Sequence, residues 1–250
     1  MIRIYKTENY EAMSKKAADI LASVVHLNPA CVLGLATGST PVGLYKELIA
    51  KYNAGEISFA EVHTVNLDEY KGLSGEHDQS YRYFMNDNLF NHVDIDKDFT
   101  FVPNGLAEDA VAECAEYDDI VEALGFADLQ LLGIGHNGHI GFNEPDSVFT
   151  KATHVVDLTD STIDANTRFF ANRDEVPRQA LTMGMGCIMN AARVLLIASG
   201  AGKADAIYNT VLGPIDPKCP ASILQLHPDV VIVGDEAALS KLVEAGVEIG

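Results

Sequence analysis

The stretch "LLGIGHNGHIGFNEP", residues 131 to 145, ends an apolar run in glycines and then sets His136, Asn137, His139 and Glu144 within nine positions. A histidine changes charge near neutrality, and a neighbouring carboxylate or amide can fix its tautomer. His139, with Glu144 five residues on and Asn137 two back, therefore reads as a positioned general base. The plainer reading is a core histidine satisfied by backbone groups. His136 and His139 are also spaced as a metal pair. The loop is glycine-rich rather than helical and offers no third ligand nearby, so no metal is expected.

Three other stretches carry chemistry of their own. In "NLDEY", Asp68 and Glu69 follow an apolar run directly. One carboxylate should face a cleft there, where desolvation raises its pKa and makes it a usable base; a plain helix or turn cap is the alternative. "ATGSTPVG" carries Gly38, Ser39 and Thr40 between an apolar run and a helix start. Free helix N–H groups and hydroxyls suit a phosphate, although no Walker sequence follows and an ordinary threonine-capped turn fits as well. Lys203 follows "SGAG" at another helix start, where a cation opposes the helix dipole. An anion would explain it, and a solvated lysine is the other reading. Arg168 is uninformative alone, but arginine suits fork-like phosphate binding.

These stretches need a frame that brings them together. "YEAMSKKAADILASVVHL" has a helical apolar stripe, and "TPVGLYKELIAKYNAG" has a threonine cap candidate, a first-turn proline and a closing glycine. Further helices are expected from about Gln79 to His92 and over "AEDAVAECAEYDDIVEALG", "GKADAIYNTVLG" and "DEAALSKLVEAG". Between them lie "CVLGLA", "VHTVNL", "FTFVP", "DLQLLGIG", "ARVLLIAS" and "DVVIVG", with "THVVDL" extended. Continuous apolar strands alternating with helices predict an α/β fold: an open, mostly parallel twisted sheet with helices on both faces, a Rossmann-like variant, as one domain over 1–250. Ligands of such sheets bind beyond the carboxyl ends of the strands. The polar stretches above all follow strands, so they should meet at one edge.

The chain has 250 residues, 48% of them hydrophobic, and a formal net charge of −19 from 36 acidic and 17 basic residues. That balance argues against nucleic-acid or anionic-membrane partners. It also requires any anionic substrate to meet basic residues focused at one point. Cys31, Cys114, Cys187 and Cys219 form no CxxC pair, so neither zinc nor disulfides are expected. "MIRIYKTENY" lacks a signal-peptide core and no apolar run would span a bilayer, so a cytoplasmic protein is expected.

Taken in order, "LATGSTPVGLYKEL", "NLDEYKGL", "GIGHNGHIGFNEP", "NTRFF" and "SGAGKADAI" resemble the glucosamine-6-phosphate deaminase family. The resemblance implies conversion of D-glucosamine 6-phosphate and water into D-fructose 6-phosphate and ammonia, without metal or organic cofactor. With water consumed, a hydrolase class is expected beside the isomerase-like step. The resemblance implies that Asp68 takes the C2 proton and that His139 opens the ring with Glu144 and Asn137. It implies that Gly38, Ser39, Thr40, Arg168 and Lys203 cradle the phosphate. Many members have aspartate where this chain has Asn137, so hydrogen bonding rather than charge is expected of that side chain. The chain ends sooner than the hexameric, allosterically activated members, so a monomer or small homo-oligomer is expected. The related 6-phosphogluconolactonases share the phosphate loop and a Gly-His but lack "FNEP". A non-catalytic sugar-phosphate sensor is the alternative from another class.

Overall fold

The computed structural model describes residues 1–160, 163–164, 167, 170 and 172–250. Seven parallel strands form the main sheet: β1 (Ile2–Thr7), β2 (Val32–Leu35), β3 (His63–Asn66), β5 (Thr100–Phe101), β6 (Leu129–Leu132), β9 (Val194–Ala198) and β10 (Val230–Asp235). Their spatial order is β1-β10-β9-β6-β2-β3-β5. Every residue of β2, β6, β9 and β10 is buried, which is why these segments read as unbroken apolar runs. A single core cluster runs from Ile4 near one end of the chain to Leu242 near the other.

The helices connect these strands. They are α1 (Tyr10–Leu27), α2 (Val42–Asn53), α3 (Tyr81–Asn88), α4 (Ala110–Ala123), α5 (Met185–Asn190), α6 (Ala204–Leu212) and α7 (Ser240–Glu244). α1 begins where Asn9 accepts from the Ala12 N–H, and its apolar stripe buries Met13, Ala17, Leu21 and Val25. α2 departs from expectation. Its cap position is Pro41 and no side chain caps it, so Thr40 does not play that part.

A second sheet was not foreseen. β4 (Asp68–Tyr70), β8 (Gln179–Thr182) and β7 (His154–Asp157) pair antiparallel in the order β4-β8-β7. Tyr70, Phe142, Leu158, Val176 and Ala180 pack as a small satellite core with it. Among the described residues no helix is long and apolar enough to cross a membrane. Cys31, Cys114 and Cys187 are buried, Cys219 is half-buried, and all four are free.

The strand order reverses between β2 and β6. From β2 the chain builds outward through β3 to β5, whereas from β6 it builds the other way through β9 to β10. The segments leaving β2 and β6 therefore diverge and open a crevice between them.

Candidate active site

A cavity of about 480 Å³ fills that crevice, lined among others by Gly38, Ser39, Thr40, Asp68, Asn137, His139, Glu144 and Lys203. The segments after β2, β3, β6 and β9 all reach it. Of the residues singled out in the sequence, only Arg168 lies outside the described residues.

Asp68 and Glu69 are adjacent, both buried, and differently employed. Glu69 accepts from the backbone N–H groups of Tyr70, Tyr81 and Arg82 at 2.8, 2.8 and 2.9 Å, so it anchors the start of α3. Asp68 lines the cavity. Burial, and then the charge of Glu69, push its carboxyl up to about 8 from an ordinary value of 3.8. The pleat explains the division, since consecutive residues of a strand face opposite ways. Asp68 is not a cap.

The loop after β6 is held from several sides. The Gly135 N–H donates to the His139 carbonyl at 2.9 Å, closing a tight turn. A Cβ at Gly135 would overlap the His139 ring, so only glycine admits the imidazole in this position. Nδ1 of His139 lies 3.3 Å from Oε1 of Glu144. That approach is off the direction of a hydrogen bond, so the pair is an electrostatic contact. Asn137 donates from Nδ2 to the other Glu144 oxygen at 2.6 Å and accepts from the His139 backbone N–H at 3.2 Å. Asn143, the asparagine of "FNEP", faces inward and donates to the carbonyls of Ile140 and Met183, both at 2.9 Å. It fixes the turn that presents Glu144.

The small sheet ties Asp68 and the His139 loop to one support. Thr182 of β8 lies opposite Asp68 in the ladder, and its hydroxyl accepts from the Phe142 N–H at 3.0 Å. One residue thus braces both the strand carrying Asp68 and the loop carrying His139. Sequence reasoning missed Thr182, as it missed Thr37 and Tyr81, which also line the cavity. Tyr81 stacks on Phe142 with ring centroids 6.0 Å apart. No local signal marks Thr182 or Tyr81, whose contacts are made with distant parts of the chain, whereas Thr37 stands beside Gly38 in "ATGSTPVG" and was passed over.

At the other end of the cavity Gly38 has φ +93°, a left-handed turn that delivers Ser39 and Thr40 to the rim. Tyr10 clamps this turn. Its hydroxyl lies 3.1 Å from each of the Ser39 and Thr40 carbonyls and accepts from the Gly43 N–H at 2.8 Å. One helix amide expected to face a ligand is therefore engaged by Tyr10. Lys203 precedes α6 and is held half-buried, and desolvation lowers its pKa. Among the described residues no ion pair neutralises it. Lys203 is thus a desolvated cation lining the same cavity as a hydroxyl-bearing turn, inside a chain that is otherwise strongly negative.

The family model described as glucosamine-6-phosphate isomerases/6-phosphogluconolactonase matches residues 5–232. A glucosamine-6-phosphate deaminase of Clostridium perfringens is 56% identical over 96% of this chain and 100% of its own. One of Clostridioides difficile is 54% identical over 96% of this chain and 97% of its own. A solved monomeric glucosamine-6-phosphate deaminase superposes with a TM-score of 0.93 at 47% identity, covering 95% of this chain and 99% of that one. A 6-phosphogluconolactonase from Trypanosoma cruzi reaches 0.78 at 19% identity over 97% of each chain, a likeness of fold alone.

These findings correct the hydrolase class expected from the uptake of water. The matched relatives are named deaminases and the family description names isomerases, so the chemistry is an isomerisation with loss of an amine. The chain belongs to the glucosamine-6-phosphate isomerase/6-phosphogluconolactonase family.

Proposed function

We propose that this chain converts D-glucosamine 6-phosphate and water into D-fructose 6-phosphate and ammonia. The observation that carries the reading is the pairing, in one cavity, of a desolvated carboxyl with a histidine–carboxylate–amide chain. Two separate bases suit a reaction with two separate proton transfers.

The first transfer opens the sugar ring. His139 takes the proton of the anomeric hydroxyl and returns it to the ring oxygen, while Glu144 steadies the imidazolium between the two events. The second is enolisation. Asp68 removes the C2 proton of the open aldose while the substrate's ammonium group gives a proton to O1, leaving a neutral enolamine across C1 and C2. Return of that proton to C1 gives a 2-imino sugar; water adds to its C=N bond and ammonia leaves, giving the ketose. A carboxyl held up to about 8 is a stronger base than an exposed one and can carry the proton from C2 to C1. The substrate's own ammonium group, arriving beside Asp68, favours the carboxylate at the moment it is needed.

Gly38, Ser39, Thr40 and Lys203 hold the phosphate in this reading, with Arg168 completing the cradle. Anchoring a group remote from the reacting carbons fixes C1 and C2 for both steps. Acid–base groups suffice for every step, so the mechanism uses neither metal nor cofactor. The chain acts as one domain over 1–250, as a monomer or small homo-oligomer, on a small-molecule substrate without nucleic-acid or membrane partners. We place it in the cytoplasm, where phosphorylated sugars are retained.

A coupled assay tests the reading. Glucosamine 6-phosphate is supplied, and fructose 6-phosphate and ammonia are measured in equal amounts. Hydrolysis of 6-phosphogluconolactone with no ammonia from the amino sugar would replace this function with the lactonase alternative.

A further inference from the structure

His136 is the residue of the glycine-rich loop that the mechanism leaves unused. It lines the same cavity as His139, Lys203 and the turn after β2. Its ring packs over the chain just ahead of α6: a Cβ built on Gly202 would lie 3.0 Å from Nε2 and 3.1 Å from Cδ2. Nε2 is thus placed one residue from Lys203, on the cavity side of the segment leaving β9. The charged groups acting on it are Lys203 and His139, and no carboxylate among the described residues is paired with it.

We propose that His136 is a phosphate-contacting residue that works with Lys203 and takes up a proton when the sugar phosphate binds. This rests on the phosphate-cradle reading given above. In the unliganded site the Lys203 charge, and then burial, hold the imidazole below its ordinary value, so it stands neutral near pH 7. A phosphate dianion between the two side chains reverses the sign of the local field. Lys203 no longer repels the imidazolium, because both then face the same anion. His136 becomes a second cation that exists only when there is an anion to neutralise. In a chain of net charge −19 that arrangement concentrates positive charge at one point without holding two bare cations together when the site is empty.

The linkage has a definite sign. Binding raises the proton affinity of His136, so binding takes up a proton between the free and bound values. The His136 contribution is full at lower pH and fades as pH rises through the bound-state value. Inorganic phosphate takes up its own proton at a higher pH than the value of about 6 for a phosphate monoester, which weakens its binding toward the acid end of the range. The quantity to read is therefore the ratio of wild type to variant, in which the ligand's ionisation cancels.

The test uses the full chain and inorganic phosphate. Histidine ring resonances are followed by NMR from pH 5.5 to 8.5, with and without saturating phosphate, and His136 is assigned by its loss in His136→Asn. Saturating phosphate should move the His136 titration upward by about one pH unit or more. The wild-type to His136→Asn affinity ratio should be roughly 5 near pH 6.5, as for a partly exposed charge-assisted contact, and approach one above pH 8.5. Backbone amide shifts at Gly38, Ser39 and Thr40 report occupancy independently of His136. If those amides respond while His136 titrates unchanged, the His136 proposal is overturned and the cradle stands. If neither responds, the cradle reading fails and this proposal fails with it.

Discussion

Asn137 reaches Glu144, not the ring of His139. Its Nδ2 donates to Glu144 Oε2 at 2.6 Å, while Oε1 of the same carboxylate lies 3.3 Å from His139 Nδ1. The amide therefore orients the carboxylate, and the carboxylate faces the imidazole. Its second contact, accepting from the His139 backbone N–H at 3.2 Å, closes the loop onto itself. A neutral amide does both without adding charge to a pocket that already holds Asp68 and Glu144.

The substitution Asn137→Asp changes that balance in a readable way. It sets a second carboxylate against Glu144 where an N–H had been, so the two must share a proton or repel. Either way negative charge near His139 increases once both have ionised, which favours the imidazolium. In the proposed mechanism His139 acts as a base in its neutral form, so the acidic limb of kcat/KM should move to higher pH. Paired pH–rate profiles on glucosamine 6-phosphate at fixed ionic strength measure it. A limb that stays put or moves to lower pH would show that position 137 is not coupled to the ring-opening base.

Lys203→Ala should separate anchoring from chemistry. It removes a half-buried cation with no ion-pair partner among the described residues, so the empty protein should lose little stability. Binding of the phosphate should weaken by roughly 10- to 100-fold, the range for a lost charge-assisted contact. Inorganic phosphate, tested as a competitive inhibitor, should lose potency in parallel. Potency of inorganic phosphate that survives the substitution would move the phosphate site away from Lys203.

The parts of this site differed in how plainly the sequence announced them. Strands β2, β6, β9 and β10 are buried on both faces, so their apolar runs needed no partner to be recognised, and helix 10–27 has the bounds its periodicity predicts. β1 was missed because only Ile4 of its six residues is fully buried. Of the sheet β4-β8-β7 only β7 was anticipated, within the extended "THVVDL"; its pairing and its other two strands were missed for a different reason. Its strands are three or four residues long, and β4 buries the charged pair Asp68 and Glu69, a sequence that reads as a loop. Only pairing with Gln179–Thr182, more than a hundred residues away, makes it a strand. Separations of 40 and 29 residues likewise hid the bond between Thr182 and the Phe142 N–H and the clamp of Tyr10 on the Ser39 turn. Strand-end chemistry was visible because it is local, whereas the side chains that hold it still come from elsewhere in the chain.

The neighbours Asp68 and Glu69 give the last prediction, since the same isosteric change should act on them in opposite directions. Asp68 keeps its proton to about 8 in the native protein, whereas an unfolded chain loses it near 3.8. Between those values the native state binds more protons than the unfolded state, so the wild type loses stability as pH rises through that window. Asp68→Asn has no such proton. Below about pH 4 both forms are neutral and the difference closes; by pH 8 the variant should have gained several kcal/mol relative to its standing at low pH. It should also lose at least ~10²-fold of activity, together with solvent-hydrogen exchange at C2. Glu69 is in the reverse position. Its Oε1 accepts from Tyr70 and Tyr81 and its Oε2 from Arg82, all through backbone N–H groups. Glu69→Gln must turn an NH2 toward one of them, leaving a buried donor unpaired at a cost of about 1–3 kcal/mol. Thermal melts of the wild type and both variants at pH 5 and pH 8, read beside C2 exchange, decide the matter. Asp68→Asn should melt progressively above wild type as pH rises while exchange is lost. Glu69→Gln should melt below wild type at both pH values while exchange persists. An Asp68→Asn protein whose melting point relative to wild type is the same at both pH values, or which still exchanges the C2 hydrogen, would remove Asp68 from the role of desolvated base.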